Sequence, residues 1–365
     1  MRILHVTPTF FSEHSVVGGG ERYVDNICAA IASVSGSDVQ CDILSFGRSS
    51  ARIPRGPSSD LLLHPADPEN LLSCAGEALD ALLATYDVVN VHQCLTRFGI
   101  FIASRARVMG VCVIGTDHGG GEVHQLEAYP VIANVYDAFH AQSEFARAAF
   151  GQLSPPSHVM LGPVDETLFP CNTEPRNRGE IVTLGRILPH KGYEHAIAAL
   201  PENAQFTIIG RKYDAAYFDF LQQAARGKNV VFRTDLNDKA MMKIMRQAGL
   251  LLHTGVHVGY QGHFYAKPEL LSLAPLEAMC SGTPAIVSQA GALPELASVA
   301  GCQSYRTVAE LSDMLTRHMA GELFTISPTE VRQSVIKRYG LQQFGRAYLQ
   351  LINSLTRELT KCGSC

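Results

Sequence analysis

The chain has 365 residues, 46% of them hydrophobic and 18% charged, which is typical of a soluble globular protein with two domains. Residues 1–165 contain nine arginines, no lysine and seventeen acidic residues, a net charge of −8, whereas the rest of the chain has a net charge of +4. The acidic first half argues against binding to nucleic acid or to an anionic membrane surface, and the basic second half suits a diphosphate group.

Ten cysteines are scattered along the chain, and most of them lie within apolar runs. They are therefore predicted to be reduced core residues of a cytoplasmic protein. Cys362 and Cys365 form a C-x-x-C pair, but no second pair completes a zinc site. The sequence starts directly with a predicted strand, without a signal-peptide pattern, and no apolar run approaches the ~20 residues needed to cross a bilayer.

Short apolar runs alternate with helical periodicity through the first half of the chain, which predicts a doubly wound parallel sheet. A first strand over 3–6 leads through the contiguous glycines Gly18, Gly19 and Gly20 to a helix from Tyr23. These glycines suit either a loop against a ligand or a flexible turn, and their spacing is not that of a dinucleotide fingerprint. Further strands are predicted over 41–46, 88–91, 111–114 and 138–142, with a loop over 47–60.

His92, Asp117 and His118 fall at the carboxyl ends of predicted strands, where parallel α/β sheets bind their ligands. Glu122 and His124 could complete a metal site with His118, but the surrounding glycines provide no rigid element, so this alternative is disfavoured. Asp117 could instead stabilise its own loop.

The second half of the chain places basic residues directly after a predicted strand over 181–184. Gly185 permits a tight turn, Arg186 offers a planar fork for diphosphate oxygens, and Lys191 adds a mobile positive charge before a helix. The alternative is that Arg186 and Lys191 are ordinary solvated side chains without a ligand. The next strand, over 205–209, leads to Gly210 and Arg211, which could contact a phosphate or a nucleobase.

The stretch from Glu269 to Pro284 carries the most informative pattern. Pro275 suits the first turn of a short helix, Glu269 precedes that helix, and Glu277 lies in its first turns. The partial positive charge at a helix N-terminus attracts phosphate, whereas carboxylates accept hydrogen bonds from sugar hydroxyls. Phosphate and polyol recognition side by side suggest a sugar nucleotide.

The E-x7-E spacing, with Leu-Glu-Ala-Met at its end and Gly-Thr-Pro after it, resembles the signature of the family-4 retaining glycosyltransferases of the GT-B fold. The resemblance implies an α/β protein of two Rossmann-like, doubly wound domains that face a central cleft. An N-terminal acceptor-binding domain is expected over 1–170, completed by a C-terminal helix over about 345–365 that crosses back to it. A nucleotide-sugar-binding domain is expected over 171–344.

The resemblance also implies roles for individual residues. His118 is expected beside the donor sugar and the reaction centre, and Arg186 and Lys191 beside the leaving diphosphate. Glu269 is expected to hold the hydroxyls of the donor sugar, and Glu277 those of the ribose. The other implied positions are the donor-binding residues Gly185, Gly210, Arg211, Leu271, Ser272 and Leu273, and the acceptor or phosphate loop at Gly18, Gly19 and Gly20.

The chain departs from the family between residues 254 and 272, where a Gly-, His- and Tyr-rich stretch replaces a short Pro-Ser loop. Leu270, Leu271 and Ser272 stand where the family commonly has Gly-Phe-Gly, which leaves the identity of the sugar open. A specificity loop explains this composition better than a metal cluster does. The histidines that such a cluster would use are His253, His257 and His263.

The expected reaction moves a sugar, with retention, from a nucleoside-diphosphate sugar, commonly a UDP-sugar, to a hydroxyl of a carbohydrate or small-molecule acceptor, without metal or cofactor. Same-face attack, in which the leaving phosphate takes the acceptor's proton, is favoured over a covalent nucleophile, for which Glu269 is the candidate. A nucleotide-sugar epimerase, a phosphorylase with a pyridoxal cofactor and a catalytically silent sugar-nucleotide binder are the alternatives.

Overall fold

The computed structural model describes residues 1–10, 19–119, 130–151 and 153–362. The chain divides into two compact units, the first formed by residues 1–163 and 340–365 and the second by residues 164–339. The division falls a few residues before the expected domain boundary at 170.

The first unit is built on an eight-stranded sheet in the order β3-β4-β2-β1-β5-β6-β7-β8, in which every pairing is parallel except that of β3 with β4. Its strands are β1 (Arg2–Phe10), β2 (Gln40–Gly47), β3 (Ala51–Gly56), β4 (Ser59–Pro65), β5 (Val88–His92), β6 (Cys112–Thr116), β7 (Ala138–Ala141) and β8 (Ser157–Val159). Its first helices are α1 (Gly19–Ser35), α2 (Glu77–Leu83), α3 (Arg97–Val108) and α4 (Glu144–Phe150), with short 3-10 turns at Leu71–Cys74 and Pro130–Val135.

The parallel strands of this sheet are predictable because they are buried on both faces. Every residue of β5 and β6 is buried, so these strands appear in the sequence as continuous apolar runs rather than as alternating patterns. The predicted loop over 47–60 is wrong, because the hairpin of β3 and β4 occupies most of it. Every residue of β3 is exposed, so this edge strand has no apolar pattern by which it could be recognised.

The second unit contains a six-stranded, wholly parallel sheet in the order β11-β10-β9-β12-β13-β14. Its strands are β9 (Glu180–Leu184), β10 (Gln205–Ile209), β11 (Val230–Arg233), β12 (Leu250–His253), β13 (Ala285–Ser288) and β14 (Cys302–Tyr305). Its helices are α5 (Tyr193–Ala199), α6 (Ala215–Ala224), α7 (Asp238–Gln247), α8 (Leu273–Cys280), α9 (Leu293–Leu296), α10 (Val308–Ala320) and α11 (Pro328–Tyr339), with a 3-10 turn at Pro189–Lys191.

The last helix, α12 (Leu341–Cys362), belongs to the first unit. It packs against α1 at Gly345, where a Cβ atom would lie 2.3 Å from the carbonyl oxygen of Ala30, so only a glycine allows this approach. The apolar side of the helix is buried, through Phe344, Tyr348, Leu351, Ile352 and Leu355. Cys362 is its last residue.

Within the part of the chain that the structure describes, no helix combines the length and the apolar character that crossing a membrane would require.

Candidate functional site

The strand order of the second sheet reverses between β9 and β12, which are paired neighbours. In open α/β sheets such a reversal leaves a crevice beyond the carboxyl ends of the two strands, because their connections leave in opposite directions. Arg186 and Lys191 follow β9, and β12 ends at His253. The basic residues predicted to bind diphosphate therefore lie where a doubly wound sheet commonly takes its ligand.

A buried charged cluster joins Lys191, His253 and Glu269 at this point. The Lys191 ammonium donates to Oε1 of Glu269, and His253 Nε2 lies 3.2 Å from the same oxygen. Glu269 is 8% exposed and His253 1%, so water screens these charges weakly. Burial alone would raise the pKa of the Glu269 carboxyl, but Lys191 and His253 outweigh it and hold that pKa well below its usual range. Glu269 is therefore ionised at neutral pH.

A glycine turn sets the position of Lys191. Gly192 has a φ of 59°, in the left-handed region, and a Cβ there would lie 2.3 Å from the carbonyl oxygen of Thr254. The Thr254 hydroxyl donates to the Lys191 carbonyl oxygen over 2.8 Å. These contacts tie the segment after β9 to the segment after β12 and fix the backbone of Lys191 beside His253.

Gly185 and Gly210 hold the ends of β9 and β10 together. A Cβ at Gly210 would lie 1.8 Å from the Gly185 carbonyl oxygen, so no other residue fits there. Beyond these glycines the side chains of Arg186 and Arg211 are exposed, and the Arg186 guanidinium lies over the ring of Tyr213 at 5.4 Å. No carboxylate pairs with Arg186 among the described residues, so its charge remains available to an anion.

The unusual stretch after β12 folds into a tight antiparallel turn. His257 Nδ1 lies 2.9 Å from the Tyr265 carbonyl oxygen, and the Gly291 amide donates to His257 Nε2 over 3.1 Å. A carbonyl accepts and an amide donates, so the proton of this imidazole is on Nδ1 and both nitrogens are in use. Among the described residues, His253, His257 and His263 do not come together as a group that could share an ion.

The start of α8 contains a strained residue. Ser272 has a φ of 101°, which non-glycine residues rarely adopt, and its side chain does not cap the helix. This backbone conformation is one that glycine adopts without strain, and glycine is the residue that the resembled family commonly has at the position of Ser272. Leu271 and Leu273 are buried on either side of it, and Glu277, within α8, is 1% exposed.

Three imidazoles form a hydrogen-bonded chain in the first unit. His118 Nε2 lies 2.7 Å from His92 Nδ1, and His92 Nε2 lies 3.0 Å from His5 Nδ1. The amide nitrogen of Gln142 lies 2.7 Å from His118 Nδ1 and donates to it. With this donor in place, each imidazole carries its proton on Nε2, so His118 donates to His92 and His92 donates to His5.

These histidines are neutral at physiological pH. Burial lowers the pKa of His118 to about 4 and that of His5 to about 3, and it also holds the pKa of His92 well below its usual range. A fourth histidine, His140, has a pKa lowered to about 3 by burial and lies 3.3 Å from the Tyr23 hydroxyl. His118 can therefore contact a substrate only by exchanging one of its two present partners.

The remaining predicted positions are placed as follows. Gly19 and Gly20 are the first residues of α1 rather than members of a loop. Asp117 is buried and accepts from the Gly119 amide over 3.2 Å, which agrees with its stabilising its own loop. Outside the described residues lie Gly18, Glu122, His124 and Cys365.

Several residues of the site had no predicted role there. The sequence pattern gives His253 a role only as a metal ligand, although its place at the end of β12 is typical of a ligand-binding position. Tyr213 follows β10 at the carboxyl edge of the second sheet, and Gln142 follows β7 at the carboxyl edge of the first. Neither residue is part of a recognisable motif. His5 lies in the middle of a strand, where no pattern distinguishes it from a core residue.

Part of the chain matches a known protein family. Residues 164–316 match the family described as Glycosyl transferases group 1. This part of the chain is a glycosyl transferases group 1 domain. It contains the whole of the charged cluster, together with Arg186, Gly210 and α8.

Two further comparisons bear on the chain. A 122-residue segment, 32% of this chain, is 30% identical to the uncharacterized glycosyltransferase MJ1607 of Methanocaldococcus jannaschii, of which it covers 28%. The fold is similar to that of the sucrose-phosphate synthase of Thermosynechococcus elongatus, with a TM-score of 0.76 and 17% identity over 98% of this chain and 99% of that one. It is also similar to that of Anabaena Alr3699/HepE in complex with UDP and glucose, with a TM-score of 0.70 and 16% identity over 97% and 100%. The fold is GT-B.

Proposed function

We propose that the protein is a family-4 retaining glycosyltransferase that moves a sugar from a nucleoside-diphosphate sugar to a hydroxyl of a carbohydrate or small-molecule acceptor. The observation that carries this proposal is the cluster of Lys191, Glu269 and His253 beside Arg186, at the switch point of the group 1 domain. The cluster combines positive charge for a diphosphate with a fixed carboxylate for sugar hydroxyls.

Departure of a diphosphate builds negative charge at the bridging oxygen, and fixed positive groups lower the barrier to that step. Arg186 is exposed, without a carboxylate partner in the described chain, and its planar fork can take two phosphate oxygens. Lys191 gives one N–H to Glu269, and an ammonium has three, so two remain for phosphate. The N-terminus of α8 adds a partial positive charge.

Glu269 is better suited to hold the sugar than to attack it. Its contacts with Lys191 and His253 draw electron density from the carboxylate and lower its pKa. A carboxylate of low basicity is a weak nucleophile. Both of these contacts are to Oε1, and Oε2 has no hydrogen-bond partner among the described residues, so Oε2 can accept from a sugar hydroxyl. This arrangement favours same-face attack over a covalent intermediate.

UDP is the nucleotide that we propose, with Glu277 holding the ribose hydroxyls. The Anabaena protein of similar fold binds UDP-glucose, which supports this choice. The reaction needs no metal or cofactor in this proposal, because Arg186, Lys191 and α8 supply the positive charge. We place the enzyme in the cytoplasm, since the eight cysteines with described side chains are free thiols. We propose no nucleic-acid or membrane partner, because residues 1–165 carry a net charge of −8.

The proposal is tested by screening UDP-, GDP- and ADP-sugars for a thermal shift and then following turnover by NMR in the presence of EDTA. We expect a UDP-sugar to raise Tm, and a retained anomeric configuration in the product. Glu277→Gln should weaken UDP binding in calorimetry, whereas Glu322→Gln, an exposed control in the same unit, should not. Conversion of the sugar nucleotide without an acceptor would indicate an epimerase, and binding without turnover a silent binder. Either outcome would contradict the transfer reaction.

A further inference from the structure

A second cluster of ligand-type side chains lies in the first unit, where β1, β2 and α1 meet. A ring nitrogen of His5 and the sulfurs of Cys28 and Cys41 all lie within 4.8 Å of one another, and the two sulfurs are 3.3 Å apart. Cys41 pairs with Ile3 on β1, so it shares a face of the sheet with His5 two positions further on. All three side chains are buried. No other such group of three occurs among the residues that the structure describes.

One ring nitrogen of His5 lacks a hydrogen-bond partner at this place. Its Nδ1 is hydrogen-bonded to His92, whereas its Nε2 is buried and has no hydrogen-bond partner. A buried polar atom without a partner is destabilising, and most such atoms in proteins have one. Nε2 is thus the nitrogen left for a ligand, and the two sulfurs lie within 4.8 Å of a nitrogen of this ring.

We propose that His5, Cys28 and Cys41 bind a zinc ion. Two thiols lose their protons on binding, and two thiolates with one Zn²⁺ make a neutral group, which can be buried at low cost. Thiolate and imidazole are the ligands that Zn²⁺ commonly takes. The three side chains leave the fourth position of a tetrahedral ion to a water or another small ligand.

The surroundings of His5 fit a metal ligand. An imidazole that binds a metal through one nitrogen almost always donates from the other, and His5 Nδ1 lies 3.0 Å from His92 Nε2. Zinc binding would place the His5 proton on Nδ1. The hydrogen bonds that join His5, His92 and His118 would then all run in the opposite direction. The Gln142 amide would turn so that its oxygen accepts from His118.

The distance between the sulfurs favours a metal over a disulfide. A tetrahedral ion with Zn–S bonds of about 2.3 Å holds its two sulfurs about 3.8 Å apart, so the present 3.3 Å must lengthen by about 0.5 Å. A disulfide at about 2.05 Å requires the sulfurs to approach by about 1.3 Å. It would also leave His5 Nε2 without a partner.

The experiment measures zinc in the full chain, made without a histidine tag and with Cys362→Ser and Cys365→Ser, so that the C-x-x-C pair cannot contribute. We expect about one zinc per chain by mass spectrometry, and a near-ultraviolet thiolate-to-metal band when cobalt replaces zinc. Replacing Cys28 and Cys41 together by serine, or His5 by alanine, should lower the zinc affinity at least tenfold in a chelator competition. Cys112→Ser, which alters a buried cysteine of β6, should leave the affinity unchanged.

The measurement on this parent chain, whose only changes are Cys362→Ser and Cys365→Ser, decides the question even if a cluster variant fails to fold. Absence of zinc with every thiol titratable after denaturation would overturn the proposal in favour of an ordinary core. Absence of zinc with two thiols missing would overturn it in favour of a disulfide. Because the cluster is separate from the charged cluster of the second unit, neither result bears on the proposed transfer reaction.

Discussion

The two units bury polar side chains near the carboxyl ends of their strands, but with opposite electrostatics. In the second unit Lys191 and the buried Glu269 form an ion pair, and His253 Nε2 lies 3.2 Å from the same carboxylate oxygen. In the first unit His92, His118 and their neighbours are neutral imidazoles that hydrogen-bond to one another and to amides or hydroxyls. The difference shows two ways of burying polarity, one by pairing opposite charges and one by suppressing charge.

Each solution suits a different task. Paired charges present a fixed field to an anionic substrate, but removing one partner leaves the other buried and unpaired. A neutral imidazole chain resists protonation, but the hydrogen bonds between its imidazoles can reverse direction without moving an atom other than hydrogen. Changes that remove a charge should therefore act strongly in the second unit, whereas changes of pH should act strongly in the first.

The largest effect is expected for Lys191→Met. This change leaves the Glu269 carboxylate buried without its cation, which should lower the free energy of unfolding by about 3–5 kcal/mol. It also removes a donor to the leaving group, which should lower kcat about 10²–10³-fold. Urea unfolding and initial-rate kinetics measure the two effects.

The double variant Lys191→Met with Glu269→Gln separates them. Stability should recover, because no buried charge is left unpaired, while turnover should not. Lys243→Met, an exposed change in α7, is the control. Full activity in Lys191→Met would rule out the role of Lys191 with the diphosphate.

Arg186→Gln should affect turnover without affecting stability. Arg186 is exposed, and its described contact is with the ring of Tyr213, so the free energy of unfolding should change by no more than about 0.5 kcal/mol. Loss of its charge should lower kcat about 10²-fold. Arg226→Gln, an exposed change on the same unit, should be neutral in both measurements. A large loss of stability would show that Arg186 is structural.

Acid should destabilise the protein through its buried histidines. The pKa values of His118 and His140 are about 4 and about 3 in the folded state, below the ~6.5 of an unfolded histidine. The unfolded chain therefore binds more protons between those values, and stability falls as pH falls. From pH 7 to pH 5 the loss is up to about 2 kcal/mol for each such histidine.

Urea unfolding at several pH values measures this slope. His140→Gln should reduce the slope, whereas His263→Gln, an exposed control, should not change it. A free energy of unfolding that stays constant from pH 7 to pH 5 would contradict the buried neutral state.

The smallest effect is expected for Ser272→Gly. The φ of 101° costs serine of the order of 1 kcal/mol more than glycine, and no helix-capping bond is lost, so the free energy of unfolding should rise by about that amount. Ser281→Gly is the matched control, because Ser281 has a φ of −76° and glycine should destabilise there. A loss of stability in Ser272→Gly would show that the serine side chain contributes a contact of its own.

The fold was largely predictable, because both sheets are mostly parallel and parallel strands are continuous apolar runs. The predicted strands over 181–184 and 205–209 correspond to β9 and β10 within one residue at either end. The exposed β3 could not be predicted, because an edge strand without an apolar face has no hydrophobic signal.

The contacts among the predicted site residues could not be predicted from the sequence. The motifs identified Lys191 and Glu269 separately, one for phosphate and one for sugar. That they form an ion pair depends on the turn at Gly192 and on 78 positions of intervening chain, which no local pattern encodes. Their roles in binding and catalysis, and that of His118, stay predictions.

The placement of α12 has a consequence for protein synthesis. Tyr348 on this helix stacks on His5 and accepts from Asn90 over 2.7 Å, so the core of the first unit includes a residue made long after its strands. The second unit is one continuous segment, so it can fold without any later part of the chain. At ~5–20 residues per second, residues 1–163 wait about 9–35 s on the ribosome for their last helix, and we expect them to need protection from aggregation during that interval.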